Sequence, residues 1–208
     1  MPAIGRKVLD AYNNMETLEQ KIKRVTKEEI IIEPYNPVWP QLFQDEKEYL
    51  ISLFPINLII RIEHFGSTSV PSLSAKPIID MQIEVTSLEE TRKKVIPILE
   101  SQGYDYFWRP TWGDDVPPFY AWCIKRDTNG LRTHHIHIIE DDIAFAEHWD
   151  VLLFRDYLIE HPEIAKEYGD IKSSLSNRFH NDRVAYTENK TEFVKRVTKM
   201  AKTYYEKA

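Results

Sequence analysis

Residues Glu63 to Val85 read EHFGSTSVPSLSAKPIIDMQIEV, and this stretch sets the fold. From Pro77 onward it alternates, with Ile79, Met81, Ile83 and Val85 on one side and Asp80, Gln82 and Glu84 on the other, the period of a half-buried β-strand. Leu58 to Phe65 reads as a preceding strand, and the Gly-Ser-Thr-Ser loop joins the two. Loops of this kind bind phosphate. Glycine at Gly66 lets the backbone approach an anion, and the hydroxyls and amides of Ser67, Thr68 and Ser69 are donors. Lys76 adds positive charge, and Asp80 is expected to hold a divalent metal, magnesium or manganese, that bridges phosphate oxygens.

The next informative stretch is Thr133 to Ile139, THHIHII. Its alternation sends His135 and His137 to one face and Ile136 and Ile138 to the other, core, face. His134 is expected to point with the isoleucines or to cap the strand. Paired beside the Asp80 strand, the two histidines would share a polar sheet face with Asp80 and Gln82. Two imidazoles and a carboxylate suit a transition metal, a phosphate or a proton shuttle. Two-metal phosphoryl chemistry asks for more acids, because carboxylates two residues apart must bridge both ions. Here Gln82 holds the second position, and Glu84 lies roughly 13 Å along the strand from Asp80. Two outcomes remain open: one metal held by Asp80 with histidine help, or a phosphate compound bound without transfer.

The run HFGSTSVPSLSAKPIID resembles the signature of the GrpB-like family of the polymerase β-like nucleotidyltransferase superfamily. FRDYLIEHPEIAKEYGDIKSSL and the pair Tyr186 and Lys190 resemble it too, so the likeness runs from about Ile31 to about Ala201. It implies an α+β nucleotidyltransferase-like mixed sheet with helices packed on one side, plus an N-terminal helix and a C-terminal helical segment. It also implies a nucleotide or other phosphorylated small molecule as ligand. Ser72 stands where the family commonly has glycine, and Ile159 where a second arginine is common. Arg155, Tyr168 and Lys172 lie in segments matching the family. Arginine grips phosphate through paired donors, and a tyrosine such as Tyr157 or Tyr168 stacks on a base. Arg183, Tyr186 and Lys190 are weaker candidates of the same kind.

Composition bounds these readings. A chain of 208 residues with 42% hydrophobic content makes one compact domain with an appendage. Val8, Ala11, Met15, Leu18, Ile22 and Val25 form a heptad seam, so residues 1–29 read as an amphipathic helical extension and 30–208 as the main domain. A net charge of −6 argues against broad nucleic-acid binding. No apolar run reaches a membrane span, and the expected location is cytoplasmic. The single Cys123 has no disulfide partner within the chain and is expected to be buried on a strand.

Further helices are expected after Pro37, from Ser87 to Gly103 with a break at Pro97, and near 143–160, 163–179 and 188–206. A hairpin is expected around the turn Asp127 to Gly130, and a short strand at Ile30 to Pro34. Two rival functions fit the same residues: a metal-dependent phosphohydrolase using His135, His137 and Asp80, and an interaction module contacting its partner through the N-terminal helix.

Overall fold

The structure, a computed structural model, describes residues 20, 29–111 and 115–207. The heptad seam of the N-terminal extension lies outside the described residues. The main domain is α+β, built on a five-stranded mixed sheet. Strand β1 (Ile59–Phe65), β2 (Ile79–Val85), β3 (Asp105–Pro110), β4 (Phe119–Arg126) and β5 (Arg132–Glu140) lie in the order β1-β2-β5-β4-β3. β2 and β5 run parallel, and the other neighbours are antiparallel.

The expected alternation is visible in burial. Met81, Ile83, Ile136, Ile138, Ala121 and Cys123 sit on the inner face, under α1 (Trp39–Leu53), α2 (Leu88–Lys94) and α3 (Ile96–Ser101). Trp39, Leu50, Leu88, Val95, Ile96 and Leu99 close that core. Ser87 Oγ accepts from the Glu90 amide at 3.1 Å, the cap that opens α2. The break before Pro97 separates α2 from α3, because proline supplies no amide donor for a continuous helix. His134 turns to the inner side of the domain, toward the Leu42 carbonyl.

Two elements depart from the sequence reading. β3 was not expected. Its run Asp105-Tyr-Phe-Trp-Arg-Pro110 has no apolar–polar alternation, because Tyr106 and Trp108 pack on the main core while Phe107 packs with Ile124 on the other face. The helix expected over 143–160 is instead a 3-10 segment, Ile143–Trp149, followed by α4 (Asp150–Glu160). Asp142 caps the first with a 2.8 Å bond from the Ala144 amide.

α4, α5 (Pro162–Arg178) and α6 (Arg183–Tyr205) form the C-terminal helical segment. They bury a separate cluster that includes Phe154, Leu158, Tyr168, Phe193 and Val197, joined by Val70 and Leu73 from the β1–β2 connection. No helix among the described residues is long and apolar enough to cross a membrane.

Candidate functional site

Between the polar face of the sheet and the helices α5 and α6 lies a pocket of about 720 Å³. The register of its floor puts the expected residues on one face: Asp80 pairs with His135 and Gln82 with His137 across parallel strands. Paired residues in a ladder project to the same face. β4 and β3 extend the floor with Trp122, which pairs with both His137 and Phe107.

Asp80 sits at the head of this floor. Gly66, with φ of 74°, holds the chain where an added Cβ would lie 3.1 Å from both Asp80 Cβ and Cγ and collide with Oδ2. Glycine is therefore required twice, for backbone angle and for space. Asp80 Oδ1 is 3.0 Å from His135 Nδ1, while His135 Nε2 faces Arg132 at 3.3 Å and Arg183 at 3.5 Å. Guanidinium groups only donate, so Nε2 accepts and Nδ1 carries the proton given to Asp80. Burial pushes the Asp80 carboxyl up, but the His135 hydrogen bond, the two imidazoles and Lys76 outweigh it and hold it at about 2. Asp80 is thus ionised. Burial lowers His135 to about 4 and His137 to about 3, so both rings are neutral at physiological pH. His137 lies parallel to Tyr120 at 5.6 Å and edge-on to Phe65 at 5.4 Å.

The walls are cationic. Lys76, Arg109, Arg132, Lys172, Arg183 and Lys190 line the pocket, against the carboxylates Asp80 and Glu188. Lys76 and Lys190 lie over the buried Tyr186 ring at 5.1 and 5.6 Å. Lys172 lies over Tyr168 at 4.6 Å, with its ammonium donating to the Ser74 carbonyl. Cation–ring contacts of this kind hold an ammonium where water is scarce. Burial and the charges of Arg183, Lys190 and Arg132 depress Lys76 well below the ordinary lysine value. Burial and Lys190 bring Lys172 to about 7, and burial and Arg183 lower Lys190.

The sequence candidates divide. Ser67, Thr68, Lys76, Asp80, His135, His137 and Lys172 meet in the pocket, although Thr68 Oγ1 is bound to the Ile78 carbonyl at 3.2 Å. Gly66, Ser69, Arg155 and Tyr168 are not among its lining residues. Gly66 supports the site as a spacer. The Ser69 hydroxyl is tied to the Gly66 carbonyl at 2.6 Å. Arg155 binds Asp156, Glu63 and the His64 carbonyl, the last at 2.8 Å, so it fastens α4 to β1 and has no phosphate to reach. Tyr168 is 4% exposed, wedged between Phe154 and Phe193, and offers no ring face to a base. Its hydroxyl holds Ser67. Tyr157 stacks on His161 at 3.9 Å, away from the pocket.

Sequence reading missed Arg109 and Arg132 and underrated α6. Asp182, whose side chain accepts from the Ala185 amide at 2.9 Å, starts that helix five residues before the expected position. Arg183, Tyr186 and Lys190 then fall on one helical stripe, a three-and-four spacing that was readable in the sequence.

The donor set does not fit a resident divalent ion. Among the described residues no group of three or more His, Cys, Asp or Glu side chains is placed to hold a metal. The Gln82 side chain donates to the His148 carbonyl at 2.8 Å, and Glu84 is taken by Arg61 and Trp149, each at 3.1 Å.

The fold is therefore α+β: a mixed sheet whose glycine-serine turn leads into a strand bearing an acid, in a cleft closed by helices. Comparison with known proteins is narrower. The model of the GrpB protein family matches residues 29–200, and the chain belongs to that family. It is 36% identical to a UPF0157 protein of Pseudomonas aeruginosa, over 86% of this chain and 70% of that protein. It is 32% identical to the glutamate-rich protein GrpB of Alkalihalophilus pseudofirmus, over 82% and 94%. The crystal structure of the conserved protein GrpB from Enterococcus faecalis superposes with a TM-score of 0.72 at 34% identity, covering 84% of this chain and 99% of that one.

Proposed function

We propose that the pocket binds a phosphorylated small molecule with a planar group, a nucleotide in the simplest form. One observation carries this reading: in a chain of net charge −6, six cationic side chains converge on a single cleft that Phe107 and Trp122 also line. Charge-assisted hydrogen bonds from lysine and arginine favour phosphate oxygens. Aromatic side chains give a base a stacking surface. Asp80 and the His135 ring it orients are the polar centre between the two ends. Recognition, rather than two-metal nucleotidyl transfer, is the chemistry these residues support, because Gln82 and Glu84 are committed to structural bonds.

Titration calorimetry with ATP, GTP, CTP and UTP tests the proposal. At least one should bind with micromolar affinity, and Lys190→Met should weaken it about tenfold or more, the worth of one charged hydrogen bond. If none of the four produces heat or raises the melting temperature, the reading is wrong.

A further inference from the structure

Among the described residues, six cationic side chains and two carboxylates, Asp80 and Glu188, line the pocket, an excess of four formal positive charges. We infer that its ligand carries a polyphosphate or paired phosphate groups and is bound free of divalent metal, with lysines filling the role that a metal ion fills in other phosphate sites. This deepens the proposed function and rests on it.

Three features carry the inference. First, no group of three or more acidic, histidine or cysteine side chains among the described residues is placed to hold a metal, and Asp80 already accepts from His135 at 3.0 Å, so a divalent ion here would depend on ligand oxygens and water. Second, the imidazole beside it is turned toward Arg132 and Arg183 at 3.3 and 3.5 Å, so its acceptor nitrogen faces positive charge. A metal ion at that place would be repelled by the same groups. Third, the lysines come from separate elements: Lys76 from the β1–β2 connection, Lys172 from α5 and Lys190 from α6. Lys76 and Lys190 hang over one tyrosine ring, within 5.6 Å of its centre. Lysines gathered this closely raise the energy of the pocket, and an anion of three or four charges lowers it. A single phosphate would leave the excess standing.

Asp80 then has a different task from ligating metal. It is an internal counter-ion that partly offsets the burial lowering Lys76, Lys172 and Lys190, and it opposes the incoming anion. This gives a sign test. Asn in place of Asp80 still accepts from His135 through its amide oxygen, so the floor keeps its geometry.

The experiment is calorimetry of the full chain with inorganic tripolyphosphate and with ADP, each in excess EDTA and in excess magnesium. Affinity in EDTA should equal or exceed that in magnesium. Asp80→Asn should keep or tighten tripolyphosphate binding, and Lys76→Met with Lys190→Met should weaken it about 100-fold. A thermal melt of each variant establishes that it is folded. Binding more than threefold weaker in EDTA, or lost in Asp80→Asn, overturns metal-free recognition and leaves the phosphate pocket standing. No heat from either anion under both conditions overturns the pocket reading as well.

Discussion

Two groups of buried charges in this molecule are built to opposite rules. On the inner side of the sheet, Glu46, 2% exposed, accepts from the Tyr104 hydroxyl at 2.7 Å and from the Lys125 ammonium. One acid meets one base and one hydroxyl, and every strong demand is met within the chain. On the other face, six cations meet two carboxylates. The balanced group is a fastening between α1 and the strands, whereas the unbalanced one is the group that the proposed ligand would neutralise. Buried polar groups stabilise when satisfied and cost free energy when they are not. The sign of a substitution therefore tells the two kinds apart.

The largest effect is expected from Glu46→Ala, which strands Lys125 and the Tyr104 hydroxyl. Urea denaturation should show a loss of about 3–4 kcal/mol, with nucleotide affinity unchanged. Gly66→Ala comes next, at about 2–4 kcal/mol, from left-handed backbone strain and the collision with Asp80. It should also reduce anion affinity, which Glu46→Ala should not.

Lys172→Met should do the reverse of Glu46→Ala, raising stability by about 1–3 kcal/mol while weakening the ligand tenfold or more. Lys172 also gives a pH signature. Its folded value, about 7, lies below the 10.5 of a free lysine. Across that window the unfolded chain binds a proton that the folded chain does not, so stability attributable to Lys172 rises with pH and is flat below about 7. A stability profile from pH 6 to 10 should lose this slope in Lys172→Met. Equal slopes in both proteins would remove Lys172 from the unbalanced group.

The smallest effect tests the edge of the site. Ser72 has φ of 64°, a conformation costly for a side chain, so Ser72→Gly should stabilise by about 1 kcal/mol in thermal denaturation without changing binding.

How far the sequence could be read follows the same division. Strict alternation in β2 and β5 exposed the polar face that Asp80 and Gln82 share with His135 and His137, though not their register, and the capping pair Ser87 and Glu90 exposed a helix start. Periodicity reports which face is apolar, and those elements carry their aliphatic residues on one face. β3 carries aromatic residues on both faces and gives no such signal. Arg109 and Arg132 reach the pocket through sheet order, which local sequence does not contain. Arg155 and Tyr168 were misassigned for a related reason: a family segment shows which residue types recur there, but not that Arg155 faces Glu63 or that Tyr168 faces Phe193.

The molecule has two separate apolar cores, one beneath the sheet and one within α4 to α6, and the pocket lies along the seam between them. A polyanion bound as proposed would be held from both banks, by Lys76 on one and by Lys172 and Lys190 on the other. It would then act as a keystone, its binding energy becoming cohesion between the two cores.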